Sequence, residues 1–132
     1  MRYLVTGGAG FIGSNIVRRL LADGHSVRVL DNFSSGRREN LEDILSRIEL
    51  IEGDIRDYWT VVRAVRDVDC VLNQAALPSV PRSVENPLTS NAVNIDGTLN
   101  MLEASRHAGV KRFVTASSSS VYGETEELPK RE

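Results

Sequence analysis

The chain turns on one stretch near its start, Val5-Thr6-Gly7-Gly8-Ala9-Gly10-Phe11-Ile12-Gly13-Ser14. It follows the apolar run Tyr3-Leu4-Val5, which reads as a buried strand. It leads into Phe11, Ile12, Ile16, Val17, Leu20 and Leu21 at helical spacing. A strand, a glycine turn and a helix in that order leave the helix's first N–H groups free to face a phosphate. Gly7 suits the tight turn after the strand, Gly10 a close approach of backbone to a pyrophosphate, and Gly13 close packing of helix on strand. The spacing is G-x-x-G-x-x-G, with Gly8 additional.

The second strand, Ser26-Val27-Arg28-Val29-Leu30, alternates and ends in Asp31, 18 residues after Gly13. An acidic residue at that offset is placed to accept hydrogen bonds from the hydroxyls of an adenosine ribose. Its charge disfavours a 2′-phosphate, so NAD is expected rather than NADP, although Arg37 and Arg38 lie close in sequence. The loop Asn32-Phe33-Ser34-Ser35-Gly36 follows on the adenosine side, bringing Asn32, Ser35 and Gly36 into the expected cofactor set.

The remaining chain alternates between the two periods. A short helix is expected over 37–46, a strand over 48–52, and a helix opened by Asp57 that carries Val61, Val62 and Val65. A strand over 68–72 follows, then the loop Asn73-Gln74-Ala75-Ala76. The paired prolines in Leu77-Pro78-Ser79-Val80-Pro81-Arg82-Ser83 predict a shaped loop. A long helix is expected from Pro87 to His107, with Leu88, Ile95, Leu99 and Leu102 as its core stripe. A fifth strand over 111–116 runs into Ser117-Ser118-Ser119-Ser120-Val121-Tyr122-Gly123, and residues 124–132 read as the start of a loop.

This alternation predicts one α/β domain over residues 1–132, a doubly wound parallel sheet of the Rossmann type with strand order 3-2-1-4-5. The polar loops fall at the carboxyl ends of strands, where open sheets bind ligands. With 16 basic and 18 acidic residues the charge is nearly balanced. No basic stripe points to nucleic acid, and no apolar run is long enough to span a membrane. The single Cys70 sits among apolar residues and has no internal partner, which fits a reducing, cytoplasmic setting.

Taken together, Thr6-Gly7-Gly8-Ala9-Gly10-Phe11-Ile12-Gly13, Asp31-Asn32, Gly53-Asp54-Ile55-Arg56-Asp57, Ala75-Ala76, Asn94-Ile95-Asp96-Gly97-Thr98 and the serines before Val121-Tyr122-Gly123 resemble the extended short-chain dehydrogenase/reductase superfamily, in its NAD-dependent nucleotide-sugar epimerase/dehydratase branch. The resemblance implies that Phe11 and Ile12 lie on the pyrophosphate, that Asp54 and Ile55 touch the adenine, and that Gln74, Ala75 and Ala76 line the cofactor. It places Ser118 at the catalytic Ser/Thr position, where its hydroxyl would bond the reacting sugar oxygen. Ser79, Ser118 and Ser119 are the candidate substrate contacts.

The run Ser79-Val80-Pro81-Arg82-Ser83, with Asn94 and Leu99-Asn100-Met101-Leu102, is most similar to 4-epimerases acting on UDP-N-acetylhexosamines or UDP-hexuronates. Pro78 and Asn73-Gln74 depart from many UDP-galactose 4-epimerases, which carry a lysine and a His-Phe or His-Leu pair there. The dehydratase branch follows its active-site Thr with an Asp-Glu pair, where this chain has Ser119-Ser120.

The family's catalytic base is a Tyr-x-x-x-Lys pair on one helix. None of Tyr3, Tyr58 and Tyr122 has a lysine four residues on. The chain therefore resembles the N-terminal, cofactor-binding part of such an enzyme, without the last strands and the substrate domain. A non-catalytic dinucleotide sensor is the other class that this absence allows. The resemblance also implies a homodimer formed through helices in the 87–107 region.

Overall fold

A computed structural model of the chain describes residues 1–123; the loop expected over 124–132 lies outside the described residues. Five strands, β1 (Arg2–Thr6), β2 (Ser26–Asp31), β3 (Ile48–Glu52), β4 (Cys70–Asn73) and β5 (Arg112–Thr115), form one parallel sheet in the order β3-β2-β1-β4-β5. Val5 is in register with Val29 on one side and Leu72 on the other, so β1 is the centre of the sheet.

The period of two along the strands divides the core between the faces of the sheet. Leu4, Leu30 and Val71 join Val61, Ala64, Val65, Val93 and Met101 in one cluster. Val5, Val27 and Val29 join Val17, Leu21, Leu41 and Ile44 in the other. Helix α1 (Phe11–Ala22) covers the second face, and α2 (Tyr58–Val65) covers the first. Gly24, at φ +79°, turns the chain out of α1 as its sequence position suggests. Asp57 caps α2, accepting from the Trp59 N–H at 3.1 Å and from the Thr60 hydroxyl at 2.6 Å.

Several elements differ from expectation. Residues 37–46 form two 3-10 segments, Arg38–Asn40 and Glu42–Arg47, rather than one helix. Spacing of i to i+3 puts Leu41 and Ile44 on the same side, and both are buried. The fourth strand is shifted to 70–73 and the fifth shortened to 112–115. The proline-bearing stretch contains a helix, α3 (Val80–Glu85), because Pro81 falls in its first turn, where the missing N–H is not needed.

From Pro87 to His107 the chain is helical throughout, as α4 (Pro87–Asn91), a π-helical segment Ala92–Gly97, and α5 (Thr98–His107). Its core stripe is opposite to the expected one. Val93, Gly97, Met101 and Ala104 are buried, whereas Leu88, Ile95, Leu99 and Leu102 are 82, 61, 61 and 45% exposed. At Gly97 the inner face lies so close to Ile55 that a Cβ would clash, which fixes this side inwards and leaves the leucine and isoleucine stripe facing outwards. Among the described residues no helix is long and apolar enough to cross a membrane.

Candidate functional site

The carboxyl ends of β1, β2, β3 and β4 open onto one cleft of about 610 Å³. Gly7 forms the exit from β1 at φ +64°, and its N–H donates to Leu30 O at 2.9 Å. A Cβ there would sit 2.9 Å from Ala75 N, so the β1 turn and the β4 loop close on each other only with glycine. At Gly13 a Cβ would strike Gly7 O. The first turn of α1 is thereby seated directly on the glycine loop. Phe11 and Ile12 stand exposed at its mouth, and with Gly13 they line the cleft at the amino end of α1.

Asp31, at the end of β2, is 7% exposed. Its Oδ2 accepts from Ala9 N–H at 2.8 Å and its Oδ1 from Phe33 N–H at 2.8 Å. One carboxylate thus ties the glycine loop to the β2 loop while also lining the cleft. Arg38 is engaged elsewhere: its guanidinium lies over the Phe33 ring at 4.1 Å and pairs with Glu52 at 2.5 Å.

At the end of β3, Asp54 is gripped by Arg56. Arg56 Nε reaches Asp54 Oδ1 at 2.9 Å and Nη2 reaches Oδ2 at 2.7 Å, while Asn32 Nδ2 donates to Oδ2 at 2.7 Å. The guanidinium is the main reason that the carboxyl is held down to about 2 from 3.8; burial opposes it.

At the end of β4, Thr6 organises the loop. Its hydroxyl donates to Asn73 Oδ1 at 2.6 Å and accepts from the N–H groups of Gln74 and Ala75 at 3.1 Å each. Asn73 Nδ2 continues to the Thr115 hydroxyl at 3.3 Å, tying in β5. Beyond it, Asn94 on the π-helical segment grips Leu77, donating to its carbonyl at 3.1 Å and accepting from its N–H at 2.8 Å.

The structure brings Gly7, Gly10, Phe11, Ile12, Gly13, Asp31, Asn32, Ser35, Gly36, Asp54, Ile55, Gln74, Ala75 and Ala76 together around this cleft. It adds Arg56, Leu77, Pro78, Thr89, Val93 and Ala116. Thr89 and Val93 lie on the helix face opposite the large aliphatic stripe, so hydrophobic spacing does not point to them. Arg56 stood in a recognised motif, but nothing in the spacing showed where its side chain reached.

Of the candidate substrate residues, Ser79 and Ser118 do not line the cleft. Ser79 opens α3 at φ +130°, its hydroxyl accepting from Arg82 N–H at 3.4 Å. Ser118 is exposed two residues beyond Ala116, and its carbonyl accepts from Val121 N–H at 3.1 Å. The Ser119 side chain lies outside the described residues.

Comparison with known proteins follows the same lines. Residues 3–132 match the NAD dependent epimerase/dehydratase family. The chain is 46% identical to a UDP-glucose 4-epimerase of Mycolicibacterium smegmatis, with 100% of this chain and 44% of that protein covered. The UDP-glucose 4-epimerase of Thermus thermophilus, solved in complex with NAD, superposes with a TM-score of 0.91 at 47% identity, over 100% of this chain and 42% of that one. The UDP-N-acetylglucosamine 4-epimerase of Methanobrevibacter ruminantium, in complex with UDP-N-acetylmuramic acid, gives 0.91 at 41% identity, over 99 and 42% of the two chains. The chain thus spans about two fifths of the length of these relatives. A glycine loop closed on the β4 turn, a buried acid ending β2 and a match running over nearly all its residues make this chain a member of the NAD dependent epimerase/dehydratase family.

Proposed function

We propose that the cleft holds NAD and that the full-length protein interconverts the C4 epimers of a UDP-sugar. The carrying observation is the meeting of the glycine loop, the first turn of α1 and Asp31 in one cleft. Gly7 and Gly13 support this reading by letting the β4 loop and the first turn of α1 close on the glycine loop, since a Cβ at either would clash with backbone. The N–H groups opening α1 receive the pyrophosphate. Asp31 takes the ribose hydroxyls and repels a 2′-phosphate, and Asp54 with Ile55 faces the adenine. Gln74, Ala75 and Ala76 run along the nicotinamide half.

Held by Gly7, Gly10, Gly13 and Asp31, NAD⁺ would supply reversible hydride chemistry at the sugar's C4. The protein's part is orientation. Thr6 and Asn73 set the Gln74–Ala76 loop, and the Ser118 hydroxyl bonds the C4 oxygen while a base from outside this chain removes its proton. Ser119-Ser120, in place of an acid pair after Ser118, supports epimerisation over 4,6-dehydration. The Ser79–Ser83 run supports an N-acetylhexosamine or hexuronate as the sugar.

The exposed stripe Leu88, Ile95, Leu99 and Leu102 supports a homodimer packed on this helix. The test is chromatographic assay of the full-length protein with UDP-N-acetylglucosamine, UDP-glucuronate and UDP-glucose. Appearance of a C4 epimer from at least one is expected. A 4-keto-6-deoxy product, or no conversion of any, would overturn the reading.

A further inference from the structure

The turn after β3, which carries Asp54 and Ile55, is held from three sides. Gly53 N–H donates to Asp31 O at 3.0 Å, which joins its start to the end of β2. Arg56 closes its middle through the bidentate pair with Asp54. The third hold comes from much further along the chain. Asn100, on α5, points its Nδ2 between two backbone carbonyls, those of Ile55 at 3.0 Å and Arg56 at 3.1 Å. One turn earlier Gly97 lets the helix touch Ile55, since a Cβ there would lie 2.6 Å from its Cγ1 and Cδ1. Asn100 does not line the cleft. Its one amide group nonetheless joins two like-oriented carbonyls that would otherwise repel each other or turn to water.

We propose that Asn100 is the positioning residue of a base-selecting turn, presetting Asp54 and Ile55 so that an unmodified 6-aminopurine is accepted over a base altered at that edge. The proposal rests on the reading of the cleft as an NAD site. The preset turn offers Asp54 as an ionised, immobile acceptor, and Ile55, 4% exposed, as a rigid wall. A turn free to pivot accepts either base about equally, because the acceptor and wall no longer coincide with one shape.

The test is titration of the full-length protein with NAD⁺ and with 1,N⁶-ethenoadenine dinucleotide. In the latter the 6-amino donor is consumed and the edge enlarged. The natural protein should favour NAD⁺ by roughly tenfold or more, the scale of one hydrogen bond to a charged group. Asn100→Ala should weaken NAD⁺ about tenfold and leave the etheno analogue within about threefold, so the preference collapses. Asn100→Asp, equal in shape but turning an acceptor towards the two carbonyls, should do at least as much.

A role in stability alone would lower the melting temperature and leave the ratio of affinities unchanged, and that result overturns the proposal. If Asn100→Asp fails to fold, Asn100→Ala carries the test alone. Equal affinity of the natural protein for the two dinucleotides defeats the proposal while leaving the cofactor reading intact. Absence of binding by either defeats both.

Discussion

Both oxygens of Asp31 already accept from the backbone, one from Ala9 and one from Phe33, before any ligand is considered. Replacing Asp31 therefore does more than remove a ribose contact. In Asp31→Asn the amide NH₂ must oppose one of those N–H groups, a donor facing a donor. The expected result is weaker NAD⁺ binding together with a loss of about 1–3 kcal/mol of stability, the cost of a buried group left unmade. Calorimetry and denaturant melts on the same samples check the pair; reduced affinity with unchanged stability would confine Asp31 to the ligand.

Asp54 gives a second test at this scale. Its carboxyl is lowered from 3.8 to about 2, chiefly by Arg56. The stabilisation from that pairing is thus fully present above the unfolded value and is lost as pH falls from about 4 towards 2. Arg56→Gln should be less stable than the natural protein near neutrality, and the gap should narrow across that acid range. A gap that stays constant would show that the pair does not set the titration. The position of Asp31 was legible because a strand end at a fixed offset from a glycine loop leaves little freedom. Its grip on Ala9, and that of Arg56 on Asp54, was not, since side-chain reach across a turn has no sequence period.

The helical run from Pro87 to His107 turns inwards the face opposite its largest aliphatic residues. Leu88, Ile95, Leu99 and Leu102 are its bulkiest aliphatic residues and recur at helical spacing, so they claim the core by size. The core instead takes Val93, Gly97, Met101 and Ala104, because contact with Ile55 requires a surface without bulk at Gly97. The exposed stripe is then free for a second copy. The full-length protein is expected to sediment as a dimer at micromolar concentration, and Leu99→Glu to sediment as a monomer with unchanged far-ultraviolet circular dichroism. An unchanged sedimentation coefficient would remove this face from the interface. Pro81 teaches the companion lesson, since a proline forbids the interior of a helix but suits its first turn.

In the whole molecule, the parallel sheet was legible from the alternation of strands and helices, and the observed order β3-β2-β1-β4-β5 is one of the few that right-handed crossovers allow. The distribution of site residues over four strand ends was legible for the same reason. The 132-residue polypeptide itself is expected to turn over no sugar, having no Tyr-x-x-x-Lys base. It is also expected to self-associate, since β5 pairs only with β4 among the described strands and Val114 is 45% exposed. Epimer formation by this polypeptide, free of host enzyme, would contradict the first expectation, and a clean monomer in sedimentation the second.

Whether the glycine cradle ending at Asp31 takes NAD is read from calorimetric titration of the stripped full-length protein with NAD⁺ and NADP⁺. One NAD⁺ per chain, with NADP⁺ bound at least about tenfold more weakly because Asp31 opposes a 2′-phosphate, is the predicted result. No uptake of NAD⁺, or equal or tighter binding of NADP⁺, would contradict it.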